Sequence, residues 1–318
     1  MKVVIFGGAG GIGASVAFNL LRTDTPYDVV LVDSRPNMIV SHVMDLQDVL
    51  ALGGARSVRG GEPGDALDAD VVVLSAAVPL RLNSSRSVFL AENAAILDGI
   101  VDPLVAAGWG GILVVLTNPV DALLTRLQWR TALDPRRLVG YTLNDGFRMR
   151  TGVARALGAR PQDVEAWVIG EHGEAQVPLY SRVRLHGEPV VLTDAQRGVV
   201  DEYMTTWYTR HVALDSGRTS TWSTGAGAAA MVDAIATGSS EAWPAAVVLG
   251  GQYGIDGVGV GVPTRLGPGG IEEILEWDLS DEERAALLHG AERVRTAAAS
   301  IDDTTGAAAT AGTGRTAR

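Results

Sequence analysis

The sequence predicts an α/β protein: an N-terminal doubly wound parallel sheet followed by a C-terminal α+β domain. Three observations predict it. Short continuous runs of Val, Ile and Leu ("VVIF", "VVLV", "VVVL", "ILVVL") alternate with helical patterns through the first half, as strands buried on both faces of a parallel sheet require. A glycine-rich turn joins the first run to the first helical pattern. From Asn144 onward the alternation gives way to a mixed pattern of long helices and antiparallel strands.

In order, the expected strands of the first half are Lys2 to Phe6, Asp28 to Val32, Asp70 to Ser75 and Gly111 to Thr117. Helices are expected at about Ile12 to Arg22, Met38 to Leu52 and Ser87 to Ala107, giving right-handed βαβ units. The second half reads as a helix from Asn144, a strand at Val164 to Ile169, an antiparallel segment around Tyr180 to Val191, and long helices near Asp194 to Leu214 and Thr221 to Thr237. Two strand-like runs, "AVVLG" and "GVGVGVP", precede a last helix opening with "SDEERAALL", where Ser280 and Glu283 have capping-box spacing. The chain is thus divided at 143/144, with residues 303–318, small, polar and aperiodic, expected as a disordered tail.

Composition narrows the function classes. The 318 residues include no cysteine, which excludes disulfides, thiolate catalysis and cysteine-built zinc sites. A net charge of -11 opposes binding to nucleic acid or to anionic lipid, so a small-molecule partner is expected. No apolar run approaches the roughly 20 residues that span a bilayer, and the opening strand "KVVIF" lacks the features of a signal peptide; a cytoplasmic location is the expectation. The five histidines are scattered without H-x-x-x-H spacing, and no metal site is expected.

"GAGGIG" satisfies G-x-G-x-x-G through Gly8, Gly10 and Gly13, directly after a strand and at the start of a helix, with Gly7 giving an overlapping glycine spacing. Glycine permits the tight turn and close backbone approach to a pyrophosphate, and the helix N-terminus presents oriented N–H groups to it. Asp33 ends the second strand 20 residues after Gly13, where an acidic group accepts hydrogen bonds from the ribose hydroxyls. Residues 1–143 therefore read as a Rossmann domain, with Gly7, Gly8, Gly10, Gly11, Ile12, Gly13 and Asp33 as candidate cofactor-binding residues. The Asp33 carboxylate repels the additional phosphate of NADP, so NAD is favoured, although Arg35 two residues on offers an offsetting charge.

"VIGEHGE" places His172 in a glycine-flanked turn after a strand. "LNDGFRMR" places Asp145 and Arg148 three apart, on one face of a helix. Taken with "FGGAGGIG", "LVD" at 31–33, "MDL" at 44–46, "TNPVD" at 117–121, "QYGIDGVGVGVP" and the closing "SDEERAALL", these motifs make residues 1 to about 301 resemble the lactate/malate dehydrogenase family. The resemblance implies NAD-dependent hydride transfer between a 2-oxo acid and an L-2-hydroxy acid. It assigns His172 as general acid/base, Asp145 as its carboxylate partner, Arg148 as the bidentate grip on the substrate carboxylate, and Arg86 as the loop arginine that stabilises the reacting oxygen. It places Asn118 near nicotinamide and substrate, where a turn residue before proline is the alternative, and Ser220 on the pocket wall. It also implies a homodimer or homotetramer, because the segment "HVMDLQDVL" matches one that the family uses between subunits, with Asp48 where histidine is frequent.

The loop "VPLRLNSSR" bears on the substrate. In the family the residue six before the loop arginine selects the substrate side chain, and here it is Leu80. Burying a second carboxylate against leucine would cost several kcal/mol, so Leu80 predicts a monocarboxylic 2-oxo acid with an apolar or bulky side chain. Arg81 is one residue away, and a different loop path would give it the second carboxylate of oxaloacetate, making the enzyme a malate dehydrogenase. A catalytically silent NAD-binding member of the family is a further alternative, against which all four of Arg86, Asp145, Arg148 and His172 are present. An epimerase sharing only the Rossmann half is excluded, since its Tyr-x-x-x-Lys pair needs a lysine and the chain has only Lys2.

Overall fold

In the computed structural model the chain is described for residues 1–52, 57–78 and 86–312, with residues 86–88 and 302–312 described by backbone alone. The first half runs β1 (Lys2–Phe6), α1 (Gly11–Leu20), β2 (Asp28–Val32), α2 (Pro36–Val49), β3 (Ser57–Gly60), β4 (Val71–Leu74), α3 (Arg86–Ala106), β5 (Ile112–Val115), α4 (Val120–Arg130) and β6 (Leu138–Tyr141). These six strands pair in parallel in the order β3-β2-β1-β4-β5-β6, the strand order of a doubly wound dinucleotide-binding domain. Successive residues supply opposite layers: Val3, Ile5, Val29 and Leu31 pack into one core, Val4, Phe6, Val30 and Val32 into the other, as period-two geometry requires.

The second half comprises α5 (Leu143–Leu157), β7 (Val164–Glu165), β8 (Val168–Gly170), β9 (Gln176–Pro178), β10 (Arg184–Leu185), β11 (Glu188–Pro189), α6 (Asp194–Ala213), α7 (Thr221–Thr237), β12 (Trp243–Gly250), β13 (Asp256–Gly267), β14 (Gly270–Ile274) and α8 (Asp281–Gly312). β12 pairs antiparallel with β6, aligning Ala245 with Tyr141 and Ala246 with Gly140, and β13, β8 and β9 extend the same sheet. The sheet therefore crosses the 143/144 boundary without a break. β7, β10 and β11 form a separate small antiparallel sheet.

The four expected strands of the first half are present, and β3, β6 and α4 are additional to the sequence reading. The single strand expected at Val164 to Ile169 is divided into β7 and β8, which enter different sheets. The capping box of α8 forms as its spacing predicts: Ser280 N–H donates to Glu283 Oε2 at 3.0 Å and Glu283 N–H to Ser280 Oγ at 3.2 Å. Of the segment expected as a tail, residues 303–312 continue α8 to Gly312, through alanines at 307–309 and 311, and alanine has the highest helix propensity; residues 313–318 lie outside the described residues. Among the described residues, no helix is long and apolar enough to cross a membrane.

Candidate active site

The cofactor cradle is built where β1 meets α1. Gly7 has φ +84°, and a Cβ there would lie 2.7 Å from Ala76 N. Gly13 approaches so closely that a Cβ would lie 2.4 Å from Gly7 O. Gly7 and Gly8 N–H both donate to Val32 O, at 2.9 and 3.1 Å, tying the turn to the end of β2. Gly10 is the N-cap of α1 and offers no side-chain cap, which leaves the first-turn N–H groups of α1 available to an anion. Gly11 begins that helix, and Ile12 packs against the core beneath it.

Asp33 follows β2. One carboxylate oxygen accepts Ala9 N–H at 3.1 Å, and the other accepts Arg35 N–H and Arg35 Nε–H, both at 3.1 Å. Burial raises the pKa of this carboxyl, but Arg35 and the two amides outweigh it and hold Asp33 below its ordinary range. The uncapped helix, the glycine contacts that leave no room for side chains and the ionised acid at the strand end fit the pyrophosphate and ribose of NAD.

The reacting end lies across the sheet. Asp145 sits in the first turn of α5 and is buried. Its Oδ2 lies 2.5 Å from His172 Nδ1, and its Oδ1 accepts a hydrogen bond from Arg148 Nη1 at 3.3 Å. One carboxylate thus serves both groups, an arrangement possible because i and i+3 share a helix face. The His172 ring is only 14% exposed, and its Nε2 has no hydrogen-bond partner among the described residues. Burial disfavours imidazolium, yet the charge and hydrogen bond of Asp145, helped by Asp121, leave the pKa raised above 6.5.

Arg148 is held on three sides. Besides Asp145, its Nη2 donates to Ser220 Oγ at 3.3 Å, and its guanidinium lies over the Trp207 ring, 4.2 Å from the centroid. Burial lowers its pKa against the opposing charge of Asp145, but arginine remains a cation throughout the accessible pH range. Ser220 is the N-cap residue of α7 and makes no cap bond; its hydroxyl faces the arginine instead.

Asn118 lies at the end of the adjoining strand. Its side chain accepts Val120 N–H at 3.3 Å, and its main-chain oxygen accepts Asn93 Nδ2 at 2.8 Å. Asn93 is fully buried and its Oδ1 accepts Val78 N–H at 2.9 Å, so one side chain ties Val78 to the Asn-Pro turn. Arg86 is the first residue of α3, whereas Leu80 and Arg81 lie outside the described residues.

The structure thus brings His172, Asp145, Arg148 and Ser220 into one hydrogen-bonded chain. Three residues at this site had no assigned role in the sequence. Asp121 lies within "TNPVD", where the sequence gives it no role of its own; Trp207 and Asn93 carry no local signal at all. Among the described residues no group of three or more acidic or histidine side chains is arranged to hold a metal ion.

Comparison with known proteins covers both halves of the chain. Residues 1–140 match the model of the lactate/malate dehydrogenase NAD binding domain, and residues 142–305 match that of the lactate/malate dehydrogenase alpha/beta C-terminal domain. A malate dehydrogenase of Halobacterium salinarum is 33% identical over 297 residues, covering 92% of this chain and 97% of that protein. An L-lactate dehydrogenase of Mesoplasma florum is 31% identical over 293 residues, covering 90% and 92%. The solved structure of malate dehydrogenase from Salinibacter ruber superposes with a TM-score of 0.88 at 29% identity, covering 97% of this chain and 100% of that one.

Proposed function

Because this chain belongs to the lactate/malate dehydrogenase family and is an NAD-dependent oxidoreductase acting on CH–OH groups, we propose that it interconverts a 2-oxo acid and an L-2-hydroxy acid with His172 as acid/base. The observation that carries the assignment is the Asp145 carboxylate shared between His172 Nδ1 at 2.5 Å and Arg148 Nη1 at 3.3 Å. Residues 1–143 hold the cofactor and residues 144–302 supply this chain of side chains. NAD, held by the Gly7 to Gly13 turn and Asp33, supplies the hydride acceptor or donor.

In oxidation, His172 Nε2 takes the hydroxyl proton of the substrate, and Asp145 stabilises the imidazolium that results. In reduction, the same nitrogen returns the proton to the carbonyl oxygen. Arg148, its plane fixed by Asp145, Ser220 and Trp207, grips the substrate carboxylate and so orients the reacting carbon. Arg86 closes over the reacting oxygen and Asn118 lines the meeting point of cofactor and substrate.

For the substrate, Leu80 in the selecting position supports a monocarboxylic 2-oxo acid with an apolar or bulky side chain, because leucine leaves a second buried carboxylate unpaired. Relatives named malate dehydrogenase and L-lactate dehydrogenase match about equally, at 33% and 31% identity, and in a second reading Arg81 pairs with that carboxylate. NADH oxidation against oxaloacetate, pyruvate, phenylpyruvate and branched 2-oxo acids, compared by kcat/KM for wild type and Leu80→Arg, tests both. Preference for an apolar acid that Leu80→Arg turns toward oxaloacetate supports the first reading; wild-type preference for oxaloacetate supports the second.

Association into a homodimer or homotetramer is part of the same proposal. α2 exposes a shallow face of Asn37, Val40, Ser41, Met44, Asp45 and Asp48, with Val40 59% and Met44 65% exposed. A second copy covering this face would remove both apolar side chains from water.

A further inference from the structure

Asp121 has no role in the reaction just described, yet it is bonded to the residue that carries it out. It stands in the first turn of α4, only 2% exposed. Its Oδ2 accepts the main-chain N–H of His172 at 2.6 Å, and its Oδ1 has no hydrogen-bond partner among the described residues. Its own main chain is fixed in turn: Asp121 O accepts Thr125 Oγ1 at 2.7 Å, and Thr125 Oγ1 accepts Gly259 N–H at 2.8 Å. α4 is thereby pinned to β13, and the catalytic turn is pinned to α4.

An anchor alone needs only an acceptor, and a neutral amide would serve at lower desolvation cost. A carboxyl adds something else, since His172 becomes a cation once in every catalytic cycle. The charged and titratable groups facing it are Asp145 and Arg148 from α5, Asp121 from α4, and Glu171 on its own turn, which is bridged to Arg293 of α8 at 3.1 Å. Arg148 opposes the imidazolium, and Asp145 and Asp121 favour it. Burial pushes the Asp121 carboxyl up to about 7, against the pull of His172.

We propose that Asp121 is a second positioning carboxyl for His172, fixing the main chain of the catalytic turn and supplying negative charge from the backbone side while Asp145 holds the ring. The inference rests on His172 being the acid/base.

The test uses the full chain and two variants, with histidine NMR titration of the cofactor-free protein beside NADH-dependent reduction of the 2-oxo acid panel. His172→Ala identifies the His172 resonance among the five histidines. Asp121→Asn keeps an acceptor for the His172 N–H and removes the charge. The imidazole is then expected to titrate about half a pH unit or more lower, with the alkaline limb of the reduction profile moving in the same direction and kcat retained within about tenfold. Asp121→Ala removes anchor and charge, and kcat is expected to fall about 10- to 100-fold while KM for NADH is unchanged.

An Asp121→Asn protein whose His172 titration and pH profile coincide with wild type, differing only in Tm, overturns the proposal and leaves Asp121 a structural residue. If Asp121→Ala does not fold, Asp121→Asn decides alone. If the wild type reduces none of the 2-oxo acids, the proposed function fails, and the NMR titration still decides what Asp121 does to His172.

Discussion

Asp145 divides its two oxygens between a base and a cation, and each division has a measurable consequence. Asp145→Asn can bond both neighbours but cannot stabilise imidazolium, so kcat should drop about 10²-fold or more while NADH affinity is unchanged. His172→Ala should lower turnover by about 10²- to 10⁴-fold, again with NADH binding intact; retained turnover would remove His172 from its assigned role. The raised imidazole pKa fixes the sign of the pH response. Reduction requires imidazolium, so its kcat/KM should stay level below about 6.5 and decline as pH passes the raised value, whereas oxidation should rise over that interval. The same shift adds folding stability that is complete below the unfolded pKa and is lost as pH rises through the folded one. Asp145, Arg148 and His172 were legible as positions because a three-residue spacing and a glycine-flanked turn are local signals. Asp121 was not legible as a partner of His172, because 51 residues separate them and only the docking of α4 against β12 and β13 brings them together. Trp207 escaped for the same reason: nothing along α6 marks which of its aromatic side chains meets Arg148 from α5.

The elements were legible in proportion to how much of their surface is buried. β1, β2, β4 and β5 are covered on both faces and read as unbroken apolar runs. β3 is an edge strand in which Val58 alone is buried, and its sequence "SVRG" has no such run. β6, "LVGY", is fully buried but interrupted by Gly140, whose place becomes intelligible only with β12 beside it: a Cβ there would lie 2.7 Å from that of Ala246. Two predictions belong to this scale. Ser280→Ala breaks the capping box of α8 and should cost about 1 kcal/mol in urea unfolding without changing kcat. Gly13→Ala drives a Cβ into Gly7 O; the turn must shift, and NADH affinity by fluorescence titration should fall about tenfold or more.

For the whole molecule the question is association. The chain carries a net charge of -11, so two copies repel unless an apolar face outweighs the repulsion, and screening should tighten the assembly as salt rises. Met44→Glu places a further negative charge on the exposed face of α2 and should shift sedimentation toward the monomer at low ionic strength. A wild type that sediments as a monomer, or a profile unchanged by Met44→Glu, would remove this face as an interface between copies.

The sheet that begins at β3 and continues through β6 into β12, β13 and β8 also settles how force passes through the molecule. The glycine turn hangs from one part of this hydrogen-bonded plate and the His172 turn from another, so among the described residues the two are joined through paired strands. Two dyes placed on α1 and α8 should therefore report the same separation with and without NADH, and a change in that separation would show that the pairing yields when the cofactor binds.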